Sequence, residues 1–131
     1  MRLLLDTHIL LWGLSDDRRL SKSAREIVVN PSNEIFVSAV SIWEVAVKAA
    51  LGRIEMEVDD LDAAVADAHF QPLPITFPHA VTVGRLPAVH RDPFDRMLVA
   101  QASVEELRIV THDRVFERYS LAARGLPPII V

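Results

Sequence analysis

The sequence predicts a three-layer α/β/α domain with a mainly parallel central sheet, and three observations carry that expectation. Short apolar runs at 2–5, 35–37 and 108–111 have the length and composition of buried strands. Between them lie stretches whose apolar residues recur at helical spacing, and such alternation builds a parallel sheet covered on both faces. Two of the runs are followed at once by an acid, Asp6 after Leu3-Leu4-Leu5 and Asp113 after Ile109-Val110-Thr111. In open α/β sheets the carboxyl ends of the strands border the ligand crevice, so acids there face a pocket.

Taken in order, residues 2–5 suit a central strand, and Thr7 to Leu14 read as a helix with Ile9, Leu10, Leu11 and Trp12 as its apolar surface. Ser21 can cap a helix to about Val29, where Asn30-Pro31-Ser32-Asn33 breaks the chain before the strand at 35–37. Ser38 or Ser41 caps the next helix, with its stripe at Ile42, Trp43, Ala46, Val47 and Ala50 and its stop at Gly52. Asp59 or Asp60 opens another, to about His69, and 72–75 is a short extended segment. Thr76 starts a helix through Val83. Asp92-Pro93 opens the strongest one, an N-cap followed by proline at the first helical position. A strand at 108–111, a short helix near 115–119 and an edge strand in 127–131 complete the chain.

At 131 residues one domain over 1–131 is expected, large enough for its own core. With no cysteine, disulfide scaffolds, thiolate zinc sites and cysteine nucleophiles are excluded, which fits a reducing, cytoplasmic setting. No apolar stretch approaches the roughly 18 residues of a membrane span, and the opening run, broken by Asp6 and His8, does not read as a secretory leader. The formal net charge of −4 disfavours a nonspecific nucleic-acid coat but not a nuclease with an acidic pocket inside a basic rim. Among 14 basic residues only Lys22 and Lys48 are lysines; arginines such as Arg91, Arg96 and Arg114 neighbour the acids and suit bidentate phosphate contacts, although most are expected on the solvated surface.

Four acids, Asp6, Glu44, Asp95 and Asp113, lie in or just after apolar segments. Each also has a structural explanation. Glu44 stands three residues after Ser41, and Asp95 three after Asp92, the spacing of reciprocal capping, while Asp113 is a natural turn residue. Jointly they fall at one edge of the predicted sheet, where converging carboxylates would raise one another's pKa unless cations neutralised them. Hard oxygen ligands without cysteine point to magnesium, or manganese in its place, ions that accept phosphate oxygens and activate water.

In the segments that carry these acids the chain resembles the PIN-domain ribonucleases, and among them the VapC-like toxins of toxin–antitoxin pairs. The resemblance covers essentially the whole chain and rests on LLLDTH at 3–8, SAVSIWEVAVKAALGRI at 38–54, HRDPFDRMLVAQA at 90–102 and IVTHDRVF at 109–116. It implies a PIN-like fold and magnesium-dependent endoribonuclease activity, with Asp6 and Asp95 as principal metal ligands and Glu44 and Asp113 completing the site. Thr7 and Thr111 would be supporting hydroxyls; Asp92 would be a ligand, an outer acid or only the helix cap. It also implies an RNA substrate, a small VapB-like antitoxin partner whose tail fills the groove, with Trp12 and Trp43 as candidate walls, and a homodimer.

Competing readings are fewer. A mixed histidine and carboxylate zinc site is suggested by His8, His90 and His112 beside the acids, but no two histidines have the short helical spacing of common zinc motifs. A general-base role for His90 or His112 rests on adjacency alone. His69 and His79 read as surface or partly buried residues. A receiver domain lacks its late lysine, a dehalogenase-type phosphatase would want an acid where His8 stands, and Gly13, Gly52, Gly84 and Gly125 form no phosphate cradle. The alternative of another class is a noncatalytic PIN-like module that binds RNA or protein.

Overall fold

The computed structural model describes residues 1–123 and 125–131. Five strands, β1 (Arg2–Leu5), β2 (Glu34–Ser38), β3 (Gln71–Leu73), β4 (Arg108–Thr111) and β5 (Ile129–Ile130), form one sheet in the order β3-β2-β1-β4-β5. Every pairing is parallel, so the sheet is fully, not mainly, parallel. The helices are α1 (Thr7–Leu14), α2 (Lys22–Val29), α3 (Ala39–Ala50), α4 (Leu61–Asp67), α5 (Phe77–Val83), α6 (Pro93–Glu105) and α7 (Val115–Ala123), with a 3₁₀ turn at Val58–Asp60 before α4.

Strand β1 shows why two layers of helix are needed. Its side chains alternate between faces, and both faces are apolar: Leu3 and Leu5 join Ile9, Leu10, Ala24 and Val65 in one core, while Leu4 joins Leu98, Leu107, Phe116 and Tyr119 in the other. Each of these leucines is buried to within 1%, and complete burial of such a side chain stabilises the fold by about 2 kcal/mol. A strand of this kind can only sit centrally, and β1 lies between β2 and β4, Leu4 opposite Phe36 and Ile109. The chain leaves β1 toward β2 and β3 on one side and returns to β4 and β5 on the other. That reversal opens a crevice beyond the ends of β1 and β4, where Asp6 and Thr111 stand.

Helix boundaries follow their caps. Ser38, not Ser41, caps α3, its hydroxyl accepting the Val40 N–H at 2.9 Å and bonding the buried Gln101 side chain of α6. Gly52, at φ 72°, takes the left-handed turn after α3 that a side chain would resist. α7 runs four residues past the expected Tyr119. His79 departs from its reading as a surface or partly buried residue: it is 0% exposed. The reason is local, since its Nδ1 accepts the Thr76 N–H at 3.0 Å, closing the start of α5, and its Nε2 lies 2.9 Å from Glu105 Oε1 on α6. An imidazole that satisfies both nitrogens this way can be buried without an unpaired polar group.

Candidate active site

Asp6 follows β1 directly and its backbone continues the ladder, the Asp6 N–H donating to Val110 O at 3.0 Å. As N-cap of α1 it accepts the Thr7 N–H on Oδ1 at 2.7 Å, and Thr111 donates its hydroxyl to Oδ2 at 2.8 Å. The side chain is therefore fixed from both neighbouring strand ends. Burial pushes its carboxyl above the usual range; the bonds from Thr111 and Thr7 offset that in part, and the charge of Glu44 adds to it.

Glu44 comes from the second turn of α3 and is 4% exposed. It makes no capping box with Ser41. Instead Oε1 receives the Thr7 hydroxyl at 2.8 Å, Ser41 Oγ lies 2.9 Å from that same hydroxyl, and Oε2 pairs with Lys48 at 2.5 Å one turn along. Thr7 thus links the first two acids, its N–H on Asp6 and its hydroxyl on Glu44. Lys48 and Ser41 thus bond to the Thr7–Glu44 pair and were not picked out from the sequence as its partners, although the four-residue offset between Glu44 and Lys48 is the signal that pairs them on a helix face.

Asp95 sits in the first turn of α6, where Asp92 is the cap and accepts the Phe94 and Asp95 N–H groups on Oδ1 at 2.9 and 3.2 Å. The cap uses the Asp95 N–H and not its side chain. Asp95 Oδ2 lies 3.2 Å from His90 Nε2; the other His90 nitrogen is 2.6 Å from the Tyr119 hydroxyl, which also accepts from Arg96 at 3.1 Å. Arg96 further donates to the carbonyls of Pro87, Val83 and Leu86, so it is structural and not a phosphate contact. Burial first, then the charge of Asp6, pushes the Asp95 carboxyl up to about 7, with Asp92 adding and His90 opposing. The charge of Asp6, at the end of β1, thus acts on Asp95 in the first turn of α6. Replacing Asp92 with alanine is expected to cost about 1 kcal/mol through loss of the cap, read by urea denaturation, and to lower the Asp95 pKa, read by carboxyl NMR titration.

Among the described residues the Asp113 carboxylate makes no bond to the side chains that hold the other three acids. Asp113 is exposed, its N–H donates to Thr111 Oγ1 at 3.0 Å, and its Oδ1 accepts the Val115 N–H at 2.9 Å. Thr111 Oγ1 thus bonds both the Asp113 N–H and the Asp6 carboxylate. Beside Asp113, exposed His112 and His8 pack on Trp12, ring centroids 4.8 and 5.6 Å away, and on each other at 5.7 Å. Trp12 belongs partly to the core and carries Arg19 over its ring, whereas Trp43 is half exposed. His90, unlike His112, is tied to a site acid.

A family model, the PIN domain, matches residues 3–121. The chain belongs to the PIN-domain family. Among individual proteins, this PIN domain is 34% identical over 113 residues to Ribonuclease VapC22 of Mycobacterium tuberculosis, covering 85% of the chain and 86% of that protein. In fold it is similar to chains in VapBC2 from Rickettsia felis bound to a promoter DNA fragment, with a TM-score of 0.70 at 13% identity, covering 100% of this chain and 98% of that one. A DNA-bound VapBC structure from Salmonella typhimurium gives 0.68 at 18%, covering 100% and 97%. No helix among the described residues of this PIN domain is long and apolar enough to cross a membrane.

The acids of the PIN domain's crevice, Asp6, Glu44 and Asp95, offer hard oxygen donors, with Asp92 close enough for its charge to act on Asp95. Lys48 offsets part of the negative charge at Glu44, and among the described residues no cation is paired with Asp6. Two carboxylates, each with its pKa raised by burial and by a neighbouring acid, form a set that a hard divalent ion fits.

Proposed function

We propose that this PIN domain, one domain over 1–131, is a magnesium-dependent endoribonuclease acting as the toxin of a VapBC-type pair. The observation that carries the reading is that Asp6, at the end of β1, and Asp95, in the first turn of α6, are each held by bonds to neighbouring side chains or backbone and each pushed toward the neutral form by burial and by a neighbouring acid. Such a pair is disfavoured without a cation and favoured with one. Asp6 and Asp95 would hold Mg²⁺, or Mn²⁺ in its place; Glu44 and Asp113 would complete the site from α3 and from the rim. A bound divalent ion would supply charge neutralisation at the scissile phosphodiester and a more acidic water.

The chain's own groups then have separate tasks. Thr111 and the Thr7 N–H orient both oxygens of Asp6, Thr7 and Lys48 fix Glu44, and Asp92 sets the turn that aims Asp95. For the partner we propose a VapB-like antitoxin, in keeping with the VapBC complexes that share the fold. An apolar cleft of about 700 Å³, lined by Ile42, Trp43, Val65, Phe70 and Leu73 among others, offers a surface suited to its tail. A homodimer and a cytoplasmic setting complete the proposal. The test is RNA-end sequencing after brief expression of the wild type and of Asp6→Asn. New 5′ ends at recurrent positions are expected with the wild type alone; identical end profiles would overturn the reading.

A further inference from the structure

Among the described residues one set of three metal-ligating side chains has donor atoms all within 4.8 Å of one another, and it is not the acidic set: it comprises Asp6, His8 and His112. Sequence spacing hides it, because His8 follows β1 and His112 follows β4, and only the pairing of those strands brings the imidazoles together. Both rings pack against Trp12, which walls one side, and among the described residues neither imidazole has a hydrogen-bonded partner. Asp6 is the anchor. Each of its oxygens accepts one hydrogen bond and keeps a lone pair.

We infer that Asp6, His8 and His112 form a second cation site, selective for a borderline transition-metal ion such as Zn²⁺ and overlapping the hard-ion site at Asp6. Imidazole nitrogen suits Zn²⁺ and does little for Mg²⁺, which wants oxygen. At bond lengths of roughly 2.0–2.1 Å, tetrahedral Zn²⁺ holds its donors roughly 3.4 Å apart, so rotation of the two exposed rings closes a set already within 4.8 Å. Three protein ligands leave the fourth position to water. A zinc ion there draws the Asp6 carboxylate toward the histidines and adds a second positive charge beside any ion shared with Asp95. The site is therefore inhibitory toward the magnesium-supported cleavage proposed above, and that consequence rests on the nuclease reading.

The test uses the full chain stripped of metal. Isothermal titration with Zn²⁺ and the visible spectrum with Co²⁺ are measured for the wild type, His8→Ala and His112→Ala. Expected are one zinc per chain, a Co²⁺ spectrum with intense low-coordinate bands in the wild type only, and at least about a tenfold weaker zinc affinity in each variant. In parallel, His8→Ala retains magnesium-supported RNA cleavage and needs at least about tenfold more Zn²⁺ for half-inhibition. Equal zinc affinity in wild type and both variants overturns the inference while leaving the nuclease reading untouched. A wild type that cleaves no RNA in any metal overturns the nuclease reading, and the titration arm then decides the zinc site alone.

Discussion

Asp6→Asn is expected to lower magnesium-supported RNA cleavage at least about a thousandfold, roughly 4 kcal/mol of barrier, with no loss of thermal stability. The amide has the shape of the carboxylate: its oxygen still accepts the Thr7 N–H, and the Thr111 hydroxyl can reverse and accept from the new NH₂. What disappears is the negative charge, and in the metal-free protein that charge is costly, since burial already holds the Asp6 pKa high. Asp95→Asn is expected to behave alike. Asp113→Asn, on the exposed rim and engaged with its own helix, should cost much less. Initial rates on a fluorescent RNA, with matched melting curves by circular dichroism, check all three. Full activity in both Asp6→Asn and Asp95→Asn would remove the proposed site.

The second large effect is on stability in the absence of metal, which should fall as pH rises from about 4 to about 7. In the folded chain Asp95 keeps its proton up to about 7, whereas in the unfolded chain it releases it near 3.8. Between those values the folded state binds more protons, so unfolding becomes easier with each increment of pH. The raised pKa of Asp6 acts with the same sign. Stability from this source is whole below 3.8 and gone above about 7, and Asp95→Asn should flatten the slope across that window. Magnesium should reverse the loss at neutral pH, by about 2.7 kcal/mol at a hundredfold excess over its Kd. Urea titrations in EDTA and in Mg²⁺, at several pH values, decide it; a wild-type slope equal to that of Asp95→Asn would refute the coupling.

The fold could be read from residue pattern because each strong element announces itself locally. The Leu3-Leu4-Leu5 run, apolar on both faces, admits only a central parallel strand, and Asp92-Pro93 marks the start of α6 to the residue. Asp6 was legible for the same reason, as a charge directly after a buried strand. What local pattern could not give was pairing at a distance. Glu44 stood at capping distance from Ser41, and only the approach of α1 to α3 turned it to Thr7. His79 resembled a surface residue because its partner, Glu105, belongs to another helix. Asp113 follows β4 as expected, and its Oδ1 takes the Val115 N–H, the turn role that its position also allowed. The mixed histidine and carboxylate reading was set aside for want of a helical repeat, yet strand pairing supplied the proximity that repeat would have given.

The bond between Thr111 and Asp6 spans 105 residues, and the strand carrying Thr111 lies directly beside β1. Closing a loop of that length costs entropy, and the contact can form only once both strands are in place. A nascent chain that has not yet delivered β4 has Asp6 without its partner, β1 with one edge bare and no crevice for a phosphate to enter. Delivery of β4 is thus what would complete the proposed site, and a product truncated before it is expected to cleave no RNA.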